Sequence, residues 1–221
     1  MDGNGRWATA RGLSRAEGHK AGVKAIRPVI EECDRQGVHI VTLYAFSTEN
    51  WQRPKDEVGA LMGLFEQTIV SELDEMHRKG IQIRLIGRRE DLSATLQNLI
   101  GDAEEVTANN SKAILNVAIN YGGRKELVWA IQELAQSGQD MANLDEAQIS
   151  DALYTAGLPD PDLIIRTAGE MRTSNFLLWQ AAYAELYVTD VLWPDFGAAD
   201  VSLALEDYRK RTRKFGAVVP S

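Results

Sequence analysis

His39-Ile40-Val41-Thr42-Leu43-Tyr44-Ala45 is short, apolar and led by β-branched residues, so it reads as a buried strand. A polar loop follows over residues 47–56, STENWQRPKD. Beyond it, Val58, Leu61, Met62, Phe65, Ile69, Leu73 and Met76 recur at steps of three and four. That spacing predicts a long amphipathic helix over 57–79. The same alternation continues down the chain. Strands are expected at 81–86, 113–119, 163–165 and 186–188, and helices at 92–108, 125–137, 145–156 and about 199–213. Upstream, 16–36 reads as a helix with Val23, Ile26, Val29 and Ile30 on its apolar face. Pro28 is expected to kink or restart that helix, because proline removes a backbone donor. Strands alternating with helices imply an α/β fold: one domain over 1–221, with a mainly parallel central sheet flanked by helices.

Ligands of parallel sheets sit beyond the carboxyl ends of the strands. Ser47-Thr48-Glu49-Asn50, Asn120-Tyr121-Gly122-Gly123-Arg124 and Arg166-Thr167 all fall at such ends. The opening stretch, Met1-Asp2-Gly3-Asn4-Gly5-Arg6-Trp7, would join them if a strand preceded it. Its glycines let a backbone turn tightly against an anion, and Arg6 supplies a planar fork for phosphate oxygens. Asp2 repels a phosphate directly but serves one through Mg²⁺, which is typically held by one or two carboxylates plus substrate phosphates. The stretch therefore suggests a metal-assisted diphosphate site, with a plain N-terminal turn as the alternative. Gly3, Gly5 and Ala8 also fit the dinucleotide fingerprint G-x-G-x-x-A, which requires a strand immediately before it.

A second cluster, RTAGEMRTSN at 166–175, carries two arginines and three hydroxyl residues, with Ser174 or Asn175 placed to cap a helix over FLLWQ. It reads as an anion site or as a capped turn with surface arginines. In the 47–56 loop, Asn50 offers a donor and an acceptor and Arg53 a phosphate fork, while Trp51 serves equally to pack the loop down. A polar loop of this kind before a long helix suits a lid. His19, four residues from Arg15, shares its helical face. Glu185 is either an ion-pair partner or a second metal ligand.

A net charge of -8 leaves no basic footprint for nucleic acid. Near the start, however, Arg6, Arg11, Arg15, Lys20 and Lys24 outnumber Asp2 and Glu17, as a local anionic ligand requires. The lone Cys33 excludes an intramolecular disulfide and suits a reducing compartment. No apolar run reaches the roughly 18 residues of a membrane span and no signal-peptide pattern opens the chain. The expected location is the cytoplasm, with peripheral contact at the inner face of a membrane left open. A P-loop, a nucleophile elbow and the paired-aspartate DDxxD motif are all absent from the sequence.

With these residues in view, the sequence resembles the cis-prenyltransferases. The resemblance is carried by MDGNGRWA, GHKAG, LYAFSTENWQRP, NYGGR, RTAGEMRTSNFLLWQ and YAELYVTDVLWPDF, in family order over essentially the whole chain. It implies a Mg²⁺-dependent homodimer that condenses isopentenyl diphosphate onto an allylic diphosphate such as farnesyl diphosphate, with Z geometry. The implied product is a long polyprenyl diphosphate, the undecaprenyl lipid-carrier precursor for cell-wall synthesis. A short- or medium-chain Z-prenyl synthase and a non-catalytic subunit of a heteromeric synthase are the alternatives. By the resemblance, Asp2 handles Mg²⁺ and diphosphate, and Glu185 completes the metal site. Gly3, Asn4, Gly5, Arg6 and Arg15 cradle the allylic diphosphate, with Trp7 and His19 beside them. Ser47, Thr48, Glu49, Trp51 and Arg53 form a mobile loop over the substrates, and Asn50 assists proton removal. Arg166, Arg172, Thr173 and Ser174 hold isopentenyl diphosphate. Val58, Leu61, Met62, Phe65, Ala45 and Val117 are expected to line an apolar tunnel for the growing chain.

Three departures from the family pattern stand out. Relatives carry an apolar strand before the DGN turn, so a first strand before Met1 is expected to be missing, Asp2 to hang near a mobile terminus, and restoration of the strand to raise activity. Ala168 stands within RT-x-GE, with little effect expected. The R-x-G that reaches a partner subunit's site is matched only by Lys214-Phe215-Gly216 preceded by Arg213.

Overall fold

The β-branched runs fold as five strands in the computed structural model, which describes residues 1–213. These are β1 (Ile40–Ser47), β2 (Ile81–Ile86), β3 (Ala113–Tyr121), β4 (Leu163–Arg166) and β5 (Glu185–Val188). The helices are α1 (Asn4–Thr9), α2 (Arg15–Arg35), α3 (Lys55–Arg78), α4 (Ala94–Thr107), α5 (Gly123–Gln136), α6 (Glu146–Ala152) and α7 (Ala198–Arg209). Every strand pairing is parallel. β3 lies between β1 and β2, and β4 pairs with β5 in a second sheet. β1 and β4 both contribute to the lining of one large cavity. Ala25, Val29 and Ile30 of α2 pack on Leu43 and Leu115 of the sheet and on Trp193. A second cluster sets Leu61 of α3 and Leu96 of α4 against Phe46, Leu85 and Ile119.

Three local expectations need correction. Pro28 neither ends nor restarts α2, which is continuous across it from a Ser14–Glu17 capping box to Arg35. Packing on α1, α3 and α7 outweighs the lost backbone donor there. The opening turn is itself a short helix, α1, and Met1–Gly3 before it is not a strand. FLLWQ forms turns rather than a capped helix, because Ser174, Asn175 and Leu177 all take positive φ. The helix expected over 145–156 is also shorter, ending at Ala152. Lys214-Phe215-Gly216 lies outside the described residues; Arg213 pairs with Asp162.

A buried acid ties α5 to the loop after β4. Glu126, 1% exposed, accepts hydrogen bonds from the Tyr121 hydroxyl at 2.5 Å, the Tyr154 N–H at 3.0 Å and the Gln180 amide at 3.2 Å. Burial nevertheless pushes its carboxyl above the usual 4.5, against those three donors. A raised folded-state value means the folded protein holds the proton more tightly. Its stabilising contribution is therefore complete below pH 4.5 and lost as pH rises through the higher folded value. Glu126→Gln should flatten that fall in a pH series of chemical denaturation midpoints; an unchanged slope would show that another group causes it.

Candidate active site

The site is built where β1, β3 and β4 end. Asp2 does not hang free: its N–H donates to the Thr167 hydroxyl at 2.9 Å, and its carbonyl accepts from Thr167 Oγ1 at 2.8 Å and from Trp193 N–H at 3.0 Å. Its carboxylate Oδ2 takes Arg166 Nε at 3.0 Å and Nη2 at 2.8 Å. Gly3 follows with φ 110° as the N-cap of α1, and a Cβ there would meet Leu192 at 2.9 Å. Only glycine turns the chain there without strain.

From α1 onward the predicted residues separate into two groups. Arg6 donates to Glu170 at 3.0 Å, and Glu170 also pairs with Arg172, so the arms from 1–7 and 166–175 are joined through one carboxylate. Trp7 donates its indole N–H to Asp195 at 2.6 Å, and Arg11 lies 4.3 Å over the Trp7 ring while pairing with the same Asp195. On α2, Arg15 pairs with Glu57 at 3.2 Å and His19 lies 3.8 Å from it, while Arg53 reaches it from the loop at 3.1 Å. Burial and the Arg53 charge hold the His19 imidazole below its usual value, with Glu57 acting in the opposite sense.

The 47–53 loop is a short 3-10 turn, not an open coil. Asn50 Oδ1 accepts from Ser47 N–H at 3.0 Å, and Trp51 donates to Asn120 at 2.7 Å while meeting Phe46 edge-on. Glu49 accepts from Asn175 Nδ2 at 2.9 Å. Asn175, expected to cap its own helix, instead caps α5 across space: its carbonyl takes Gly123 N–H at 2.8 Å and its Oδ1 takes Arg124 N–H at 2.9 Å. Thr48 packs against Gly122, where a Cβ would come within 2.7 Å of its hydroxyl.

One cavity of about 990 Å³ is lined by Asp2, Asn4, His19, Ser47, Glu49, Asn50, Arg53, Arg166, Arg172, Thr173 and Ser174. Gly3, Gly5, Arg6, Trp7, Arg15, Thr48 and Trp51 support or rim it rather than line it. A second cavity of about 430 Å³ is apolar, with Phe65, Ile69 and Val117 in its wall, and Met1, Asn4, His19, Leu43, Ala45, Leu61 and Trp193 line both cavities. Val58 and Met62, expected in that wall, pack in the core beside it. The lining is what an apolar chain attached to an anion needs. Asp2 has one carboxylate oxygen on Arg166 and a side chain 43% exposed, so it fits Mg²⁺ shared with substrate phosphates. Glu185 opens β5, opposite Leu163 and at the far end of β4 from Arg166, and pairs with Arg211 at 2.8 Å. The chain does not bring it beside Asp2. Among the described residues no cluster of three or more His, Cys, Asp or Glu forms a metal cage, and no helix is long and apolar enough to cross a membrane.

Sequence reasoning missed Glu57, Asn120, Asn175 and Asp195, which hold the predicted residues in place. Of these, Asn120, Asn175 and Asp195 lay inside stretches singled out in the sequence, Asn175 as a cap of its own segment, and Glu57 lay just beyond the 47–56 loop.

Comparison with known proteins agrees with this geometry. Residues 1–216 match the prenyltransferase family model described as undecaprenyl diphosphate synthase. An isoprenyl transferase of Heliobacterium mobile is 50% identical over 222 residues, covering 99% of this chain and 85% of that protein. The (2E,6E)-farnesyl-diphosphate-specific ditrans,polycis-undecaprenyl-diphosphate synthase of Legionella pneumophila is 47% identical, covering 100% and 94%. Lavandulyl diphosphate synthase from Lavandula x intermedia, solved with dimethylallyl diphosphate, superposes with a TM-score of 0.94 at 37% identity, covering 98% and 95%.

Proposed function

Since the chain belongs to the undecaprenyl diphosphate synthase family of cis-prenyltransferases, we propose that it joins isopentenyl diphosphate to an allylic diphosphate, farnesyl diphosphate first, in Z geometry. The proposed product is a long polyprenyl diphosphate, the undecaprenyl lipid-carrier precursor. The observation that carries this reading is that the two cavities are neighbours: Met1, Asn4, His19, Leu43, Ala45, Leu61 and Trp193 line both. A diphosphate head held at the Asp2 and Arg166 end of the first cavity would place its hydrocarbon tail toward the apolar walls beside it.

In the condensation, the allylic C1–O bond breaks, C1 bonds to C4 of the isopentenyl unit, and that unit loses a proton from C2. Arg6 and the α1 backbone, with Arg15, His19 and Arg53, would hold the leaving diphosphate, where charge develops as the bond breaks. Arg166, Arg172, Thr173 and Ser174 would hold the second diphosphate, which turns a bimolecular encounter into an oriented one. Asn50 would orient the isopentenyl unit for loss of its proton. Asp2 would hold Mg²⁺, which supplies charge neutralisation for the departing diphosphate. The growing chain would advance along Ala45, Leu61, Phe65 and Val117. A homodimer in the cytoplasm, with peripheral membrane contact during product release, completes the proposal and rests on the family alone.

The test is one incubation with farnesyl diphosphate, labelled isopentenyl diphosphate and Mg²⁺, with and without chelator, sizing the products. A chelator-sensitive ladder ending near eleven isoprene units is expected. Products that stop after one or a few additions would retain the chemistry and assign a short-chain synthase. No incorporation would favour a non-catalytic subunit.

A further inference from the structure

Glu57 stands in the first turn of α3, where the helix dipole favours a carboxylate, and its side chain is 13% exposed. Its two oxygens gather three basic side chains from two separate segments. Oε2 accepts from Arg15 of α2 at 3.2 Å, Oε1 accepts from Arg53 of the loop at 3.1 Å, and His19 Nε2 lies 3.8 Å from Oε1. Each guanidinium uses one N–H on Glu57, so the rest of its five-donor fork stays available. Arg15 and Arg53 would repel one another without a charge between them. Removing it would let both long side chains swing into water, since among the described residues Glu57 is the ion-pair partner of each.

We infer that Glu57 is a positioning residue for diphosphate binding: it fixes Arg15, His19 and Arg53 at one spacing so that they meet the anion already arranged. This rests on the reading of those three residues as a diphosphate cradle. A second carboxylate beside a diphosphate would by charge alone weaken binding. Positioning and simple repulsion therefore predict opposite signs for the same substitution.

Glu57→Gln removes the charge and keeps the shape. Calorimetric titration with inorganic pyrophosphate, without the second substrate, should show affinity falling about tenfold, the loss expected when charge-assisted hydrogen bonds worth about 1.5 kcal/mol or more are released. In turnover, KM for the allylic diphosphate should rise by a similar factor with kcat changed less than threefold, a split that general destabilisation would not give. Glu57→Asp, which keeps the charge but shortens the reach, should lose about threefold and decides the matter if the glutamine variant does not fold. Unchanged or tighter pyrophosphate binding in the variant that folds overturns the inference. Wild-type protein that binds no pyrophosphate, or binds it equally well after Arg15→Ala and Arg53→Ala, overturns the cradle itself.

Discussion

Asp2→Asn should lower kcat/KM for the condensation by about a thousandfold while leaving the fold nearly intact. The substitution preserves size and an oxygen that can still accept from Arg166, and Asp2 is anchored mainly through backbone atoms, by Thr167 and Trp193. The structural cost should therefore be about 1 kcal/mol, the net worth of one hydrogen bond. What asparagine cannot supply is the negative charge that would hold Mg²⁺ against a departing diphosphate. Removing a group of this kind raises the barrier by about 4 kcal/mol, which corresponds to that thousandfold. Two readouts separate chemistry from folding. The melting temperature should move little, and the Mg²⁺ concentration for half-maximal residual rate should rise. Activity within tenfold of wild type, at any Mg²⁺ concentration, would remove Asp2 from the role proposed for it. A large drop in melting temperature would instead make Asp2 a structural partner of Arg166, whose side chain is only 11% exposed.

The parts of the fold that could be read in the sequence were those decided by local pattern. β2 matches its predicted 81–86 bounds because Ile81, Ile83, Leu85 and Ile86 sit between a glycine turn and a polar loop. α3 followed from the spacing of Val58, Leu61, Phe65 and Met76 along 24 residues. The restart expected at Pro28 does not occur, because contacts that α2 makes with helices distant in sequence keep it continuous there. FLLWQ misled because the backbone there is set by what Asn175 does for α5, not by its own neighbours. The site divides in the same way. Charged and glycine-rich stretches announced the groups that would face a ligand. The residues that hold them, Glu57 for Arg15 and Asp195 for Trp7, pair across 42 and 188 positions and leave no mark on the local pattern. Glu185 shows the limit of residue type alone: the sequence allows an ion-pair partner or a metal ligand, and the fold pairs it with Arg211 and sets it opposite Leu163.

One motif was read for its resemblance and not for its packing: Gly18 and Gly22 of GHKAG, four apart, leave α2 bare where Asn4 and Ala8 of α1 lie against it. Gly18→Ala should destabilise the protein by about 1–3 kcal/mol, the usual cost of overpacking, and cost about a hundredfold in kcat/KM. A Cβ at Gly18 would stand 2.3 Å from the Asn4 carbonyl oxygen and 3.0 Å from Ala8 Cβ, and both atoms belong to the short helix that follows Asp2. At Gly22 it would stand 2.2 Å from Asn4 Oδ1 and 3.0 Å from Trp193 Cδ1. The first clash is the harder to relieve, because a backbone oxygen moves only if α1 moves with it. Displacing α1 by an ångström shifts Arg6 and the Asp2 carboxylate away from the positions at which a diphosphate would be held. The expected sign opposes ordinary helix propensity, by which glycine-to-alanine in a helix gains about 1 kcal/mol. Gly101→Ala makes the contrast measurable: it lies in α4 with nothing within 4 Å of the added methyl, and should stabilise the fold without altering turnover. If Gly18→Ala were as stable and active as Gly101→Ala, close packing of α1 on α2 would not be what places Asp2, and the bonds from Thr167 and Trp193 would have to suffice.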